Sequence, residues 1–277
     1  MDKPEGPTSH DVVAIVRRAY GVRRVGHAGT LDPFATGLLI VLFGRATRLA
    51  PYLAGFDKDY RGTVTFGIST TTDDPRGEPL STSDSWRTLS PDQIEDAMRG
   101  FVGTLAQVPP PFSAKKVAGR RAHRRARAGE SVMLAPVAVT VTRFVPERFD
   151  PPALDFFATV GSGTYVRSLA RDLGAAVGCP AHLSSLRRTR IGHLQVVDAL
   201  PLDTARQGQE PVRVALELLP HLSRVELDAA ALARVRKGMA ITHDGDSDVA
   251  ALVASGNLIA IAQRSDAALQ PRVVFVD

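Results

Sequence analysis

Cysteine is almost absent from this chain of 277 residues; Cys179 is the only one. No internal disulfide can form, and nothing points to an oxidising compartment. There are seven histidines, but no Cys/His pairing with zinc spacing accompanies them. No glycine-rich phosphate fingerprint follows a strand, and no other cofactor motif is present. The expected chemistry therefore uses no cofactor and no metal, only ordinary side chains. Long apolar stretches are missing too. The run Leu38 to Phe43 is far too short to span a bilayer. Met1-Asp2-Lys3-Pro4-Glu5-Gly6 lacks the apolar core of a signal peptide. A cytoplasmic protein without membrane contact is the expectation. Acidic residues are in the minority, leaving a net charge of +5 and a pI near 9.7. That balance suits a polyanionic partner without requiring one.

The length allows one large domain or two smaller ones with a proper core. Thr8 or Ser9 caps an expected helix from Asp11 to Ala19, ended by Gly21. Leu38–Phe43 reads as a buried strand, Thr47 to Leu53 as a short helix, and Tyr60 to Gly67 as a strand. The polar span 69–91 reads as a long loop. Ser90-Pro91-Asp92-Gln93 is a helix start with the capping-box pattern. Strands are expected at 137–144 and 154–160, then a helix from Tyr165 to about Val177 capped by Thr164. A helical stretch is expected at 182–188, and strands at 191–197 and 272–276. Val249–Val253 and Leu258–Ala262 form an expected hairpin through Ser255-Gly256-Asn257. The residues after about 222 read as a small β-rich appendage. Strands and helices alternate irregularly, which favours an α+β fold over a doubly wound sheet.

Three places carry chemistry. The first is Gly26-His27-Ala28-Gly29-Thr30-Leu31-Asp32-Pro33, which sets one carboxylate in a loop rich in breakers. It is either an Asp-Pro turn or the presentation of a nucleophile. The second is Arg167, in the first turn of a helix whose dipole disfavours a cation. It is either solvated or the partner of a buried carboxylate such as Asp32, whose pKa it would depress. The third is a basic segment with Lys115, Lys116, Arg120, Arg121, Arg124, Arg125 and Arg127 between Phe112 and Glu130. It is either an exposed charged helix or a nucleic-acid contact; the scarcity of acids favours the second. Asp73, Asp74 and Gly77 lack the ligand pattern of a calcium loop and read as a hairpin tip. These features serve an enzyme acting on RNA, a non-catalytic RNA binder, or a base-excising hydrolase. A carboxylate with an arginine partner favours catalysis.

The segments resemble the TruB family, bacterial tRNA pseudouridine-55 synthases, nearly end to end. The resemblance rests on Lys3-Pro4-Glu5-Gly6-Pro7-Thr8-Ser9, the Asp32 loop, Lys58-Asp59-Tyr60, Gly163-Thr164-Tyr165-Val166-Arg167 and Leu186-Arg187-Arg188-Thr189-Arg190-Ile191-Gly192. It implies a mixed, mainly antiparallel central sheet flanked by helices. It places a pseudouridine synthase domain at 1–219, a basic RNA-binding thumb at about 109–132, and a PUA-like domain at 222–277. It implies Asp32 as nucleophile, Tyr60 as the ring stacked on the target base, and Arg167 as the partner of Asp32. Leu186 would line the uracil pocket, His27 would fill the place vacated in the T loop, and Tyr165 and Lys3 would support the substrate site. The thumb contacts would come from Lys115, Lys116, Arg120, Arg121, Arg124 and Arg125. The implied substrate is tRNA, met through its T arm and acceptor stem by a monomer. Two departures stand out. The family usually has an apolar strand before the Lys-Pro motif, whereas here Met1 directly precedes Asp2-Lys3-Pro4, so that either the true start lies upstream or that sheet edge is missing; and His123-Arg124 stand where Tyr and Glu are usual.

Overall fold

The computed structural model describes residues 1–110, 116–117, 120–121 and 134–275. Its elements run β1 (Asp2–Lys3), α1 (Ser9–Ala19), β2 (Val25–Ala28), β3 (Thr36–Leu38), β4 (Ile40–Phe43), α2 (Ala50–Ala54), β5 (Lys58–Phe66), β6 (Ile68–Thr70), β7 (Pro79–Thr82), α3 (Pro91–Arg99), β8 (Gly103–Gln107), β9 (Lys116–Val117) and β10 (Arg120–Arg121). They continue as β11 (Val137–Asp150), β12 (Ala153–Val160), α4 (Val166–Ala176), β13 (Ala181–Ile191), β14 (Leu194–Gln195), α5 (Leu202–Ala205), β15 (Ser223–Glu226), α6 (Ala229–Arg236), β16 (Ile241–Thr242), β17 (Val249–Ala254), β18 (Asn257–Ser265) and β19 (Ala268–Val274).

The chain folds into two compact units. The first gathers Met1–Val12, Gly29–Ile40 and Ala54–Asp203. Its sheet runs β1-β3-β13-β5-β12-β11-β8, with β14 added beside β13. Every pairing is antiparallel except β3 with β13, as the expected mixed, mainly antiparallel sheet requires. Inward residues alternate along β12 as Leu154, Phe156, Ala158 and Val160. They meet Val64 and Phe66 of β5 and the buried faces of α3 (Ile94, Met98) and α4 (Leu169, Leu173). Ser90 and Gln93 cap α3 reciprocally, as the sequence predicts. Thr8 and Asp11 do the same for α1.

The second unit gathers Val13–Ala28, Val41–Leu53 and Thr204–Asp277. Its five-stranded sheet, β15-β17-β18-β19-β16, closes around Leu252, Ile259, Ala260 and Leu269. The expected hairpin is present. Ser255 (φ 50°) and Gly256 (φ 75°) form its two-residue turn, the left-handed pair that matches the strand twist.

Several expectations are corrected. Residues 182–188 lie in strand β13, because β5 and β3 offer ladders on both sides; a register shift between Leu183 and Ser185 accommodates the three-residue spacing of Leu183 and Leu186. Residues 191–197 take in the last residue of β13, the short β14 and the start of a 3₁₀ turn. Leu38–Phe43 is two strands, β3 and β4, which join different sheets. The span 69–91 holds the β6–β7 hairpin and a 3₁₀ turn. Thr47–Leu53 is divided between a 3₁₀ turn and α2. Thr164 does not cap α4; Tyr165 occupies the cap position and gives no side-chain bond. The described part of the basic segment is a pair of antiparallel strands, with Lys116 facing Arg121 across the ladder. Lys115, Arg124 and Arg125 lie outside the described residues.

β3 reaches β13 only because Gly37 (φ 101°) has no side chain; a Cβ there strikes the Arg188 backbone carbonyl. Gly37→Ala is expected to cost roughly 1–3 kcal/mol from backbone strain alone. The urea unfolding midpoint should fall accordingly, and an unchanged midpoint contradicts this packing.

Candidate active site

The loop between Gly29 and Ala35 is tied down on both sides of Asp32. Ser9 Oγ donates to the Leu31 carbonyl at 3.1 Å and accepts the Leu31 N–H at 2.9 Å. The buried Arg188 donates to the carbonyls of Leu38 (2.7 Å), Gly29 (3.0 Å) and Thr30 (3.3 Å). Lys3, wholly buried, donates to Pro4 (2.8 Å), Pro7 (2.9 Å) and Pro33 (3.3 Å). The Pro33 carbonyl also accepts the Gly6 N–H at 2.9 Å. Bonds from charged donors each contribute about 1.5–3 kcal/mol, so the backbone beside Asp32 has little freedom.

Arg167 meets Asp32 side-on. Its Nε lies 2.9 Å from Oδ2, and Nη2 donates to Oδ1 at 3.5 Å. On its other side Nη1 lies 3.5 Å from Asp74 Oδ2 and donates to the Thr72 carbonyl at 2.8 Å. Asp74 is itself fixed: its Oδ1 accepts from Thr72 Oγ1 at 2.6 Å and the Arg76 N–H at 2.9 Å. Next to it, Asp73 pairs with Arg171 at 3.1 Å. These two aspartates do lie in the β6–β7 hairpin loop, as the sequence suggests. They turn inward rather than mark a solvated tip. Their pairing with Arg167 and Arg171 is what the sequence reading missed; the signal was a helix-start arginine in need of anionic neighbours.

Only 5% of the Arg167 side chain is exposed, against 36% of Asp32. The open edge of Asp32 faces a cavity of about 300 Å³. The same cavity is lined by Tyr60, Tyr165, Arg167 and Leu186, with Lys58, Thr164 and Arg188. Five of the residues singled out by sequence therefore meet around one space. No hydrogen bond is formed by the Tyr60 hydroxyl among the described residues. Lys3 lies beneath the loop and does not line the cavity. His27 is on β2, in the second unit. Among the described residues, no three His, Cys, Asp or Glu side chains are grouped to hold a metal ion.

Burial pushes the Asp32 carboxyl up from its ordinary range; Arg167 pulls it down, Asp74 pushes it up again, and Lys3 pulls it down. Arg167 does pull this pKa down, as expected, but the guanidinium offsets only part of the desolvation and the net direction is up. A carboxylate of raised basicity is the better nucleophile wherever the pH keeps it ionised. Burial also brings the ammonium groups of Lys3 and Lys58 down to about 8.

The family model described as TruB family pseudouridylate synthase, N-terminal domain, matches residues 17–166. The chain belongs to the TruB family. The tRNA pseudouridylate synthase B C-terminal domain matches residues 167–210. The tRNA pseudouridine synthase B of Thermobifida fusca (strain YX) is 45% identical, over 99% of this chain and 97% of its own. Its counterpart in Leifsonia xyli subsp. xyli (strain CTCB07) is 43% identical, over 94% and 90%. Among solved structures, a chain of an H/ACA ribonucleoprotein bound to a substrate RNA containing 2′-deoxyuridine superposes with a TM-score of 0.72. That likeness, at 24% identity over 100% of this chain and 84% of the other, concerns the fold.

In this TruB-family site the ionised form of Asp32 is favoured by Arg167 and opposed by burial. NMR titration of the ¹³C-labelled carboxyl should therefore give a midpoint above the ordinary 3.8. Arg167→Met removes the favourable charge and should move the midpoint further up. A wild-type midpoint at or below 3.8 contradicts the balance described.

Proposed function

We propose that the chain converts uridine 55 in the T loop of tRNA to pseudouridine, with Asp32 as nucleophile. The observation that carries this reading is the Asp32–Arg167 pair, 2.9 Å apart, at the wall of a cavity shared with Tyr60 and Leu186. The printed names of the bacterial relatives support tRNA as the substrate.

Three routes fit one carboxylate. Asp32 attacks C1′ and expels the uracil through N1; it adds to C6 of the ring; or it assists loss of the C2′ proton to give a glycal. In each, the N1–C1′ bond breaks, the C5–C1′ bond forms, the C5 proton leaves and N1 takes one up. Splitting the exchange into steps is the ordinary benefit of covalent catalysis, and the first route parallels a retaining glycosidase. The base must first leave the stack, at a cost of a few kcal/mol. Tyr60 recovers part of that by stacking, and His27 by filling the gap in the T loop. Tyr60 also moves a proton between ring positions. Leu186 and Tyr165 border the flipped uracil, and Lys3 holds the loop beneath it. The basic thumb, with Lys115, Lys116, Arg120, Arg121, Arg124 and Arg125, grips the T arm. The β-rich tail meets the acceptor stem as a PUA-like domain. The protein acts as a monomer, and opening the T loop lets it assist tRNA folding.

Pseudouridine mapping on unmodified tRNA tests the assignment. The wild type should place one pseudouridine at position 55, and Asp32→Asn should place none. Release of free uracil instead would assign the site to base excision, and full activity of Asp32→Asn would remove Asp32 as nucleophile. Neutralising Arg121, Arg124 and Arg125 should weaken tRNA binding and flatten its salt dependence, by about 0.7–0.9 in log–log slope for each lost phosphate contact. An unchanged slope places the RNA elsewhere.

A further inference from the structure

Helix α4 carries Arg167 but lacks a cap of its own. Its cap position holds Tyr165, which also lines the cavity. The neighbouring Thr164 hydroxyl turns away to the Thr140 carbonyl at 3.4 Å. The start of the helix is held instead by another element, at the Tyr165 backbone. Gln107, at the end of β8 and wholly buried, accepts the Tyr165 N–H through Oε1 at 2.8 Å. Its Nε2 donates to the Tyr165 carbonyl at 3.1 Å. One side chain thus holds both backbone polar groups of a single residue. The next residue extends the grip: the Val108 carbonyl accepts from Ser168 Oγ and from Arg171 Nη2, each at 2.9 Å.

We infer that Gln107 is a positioning residue for the reaction, clamping the backbone of Tyr165 at the start of α4 so that Tyr165 and Arg167 both border the cavity beside Asp32. The inference rests on the synthase reading of the cavity. A Ser or Asp at the cap position would hold the helix by itself, with a typical value of about 1 kcal/mol. It would also remove Tyr165 from the cavity wall. A buried amide is tolerated only when its donors and acceptors are satisfied, and here Tyr165 supplies partners for both ends. Any slackening at Tyr165 passes to Arg167 two residues on, and so to Asp32. The charged groups around Asp32 are Arg167 on α4, Asp74 from the β6–β7 loop and Lys3 on β1.

The test is single-turnover pseudouridine formation and tRNA affinity across pH for Gln107→Met, Gln107→Glu and Gln107→Asn. Met removes both bonds. Glu keeps the acceptor at nearly the same volume but loses the donor. Met and Glu should slow the reaction by about tenfold or more, while the Kd for tRNA stays within about twofold. The acid limb of the rate profile should move up, because a looser Arg167 favours the Asp32 carboxylate less. Asn, with both groups one methylene short, should fall between. Should Met fail to fold, Glu decides. Rates within about twofold of wild type, losses matched by tRNA affinity, or an unmoved acid limb would overturn the inference. No pseudouridine from the wild type would overturn the synthase reading itself, whereas an active wild type with indifferent Gln107 variants removes only this step.

Discussion

One buried guanidinium organises the site. Arg167 stands between two carboxylates, Asp32 toward the cavity and Asp74 toward the protein. A cation in the first turn of a helix is opposed by the helix dipole, and burying it unpaired costs several kcal/mol. Asp74 meets that cost from within, leaving Asp32 oriented at an open edge. The β6–β7 loop is built accordingly, with Thr72, Arg76 and Thr70 bonding Asp74 at its side chain or carbonyl. Burial pushes the Asp32 carboxyl up, and Asp74 adds to that against the pull of Arg167. Two acids share one buried guanidinium.

The rest of the first unit supplies stiffness. The Asp32 loop is held by Ser9, Lys3 and Arg188, and the edge strand β1 by Arg187, which donates to both oxygens of Asp2 at 2.7 and 3.0 Å. Arg190 grips Asp59 across β13 and β5 in the same bidentate way. On the proposed reading this rigidity is the contribution to catalysis: the carboxylate is placed before the nucleotide arrives, and little reorganisation is left for the reaction itself.

Much of this was legible in the sequence, for identifiable reasons. Breaker-rich residues around Asp32 announced a presented carboxylate, and Arg167 at a helix start announced a missing anion. The Ser90-Pro91 start and the Ser255-Gly256 turn followed from local chemistry alone. What stayed hidden depends on distant partners. Residues 182–188 are neutral between helix and strand until β5 and β3 flank them. Asp74 looks like any turn aspartate until the hairpin folds under α4. Gln107 carries no signal in a strand of five residues, because its role is set by a backbone 58 positions away.

The central claim is that Asp74 acts on the nucleotide only through Arg167. A double-mutant cycle on the single-turnover rate of pseudouridine formation tests it directly, using Asp74→Asn and Arg167→Lys. If the claim holds, each single change slows the reaction and the double variant is no slower than Arg167→Lys alone, a strong coupling between neighbours. Losses that multiply independently would contradict it, since Asp74 would then reach the reaction by a path that bypasses the guanidinium.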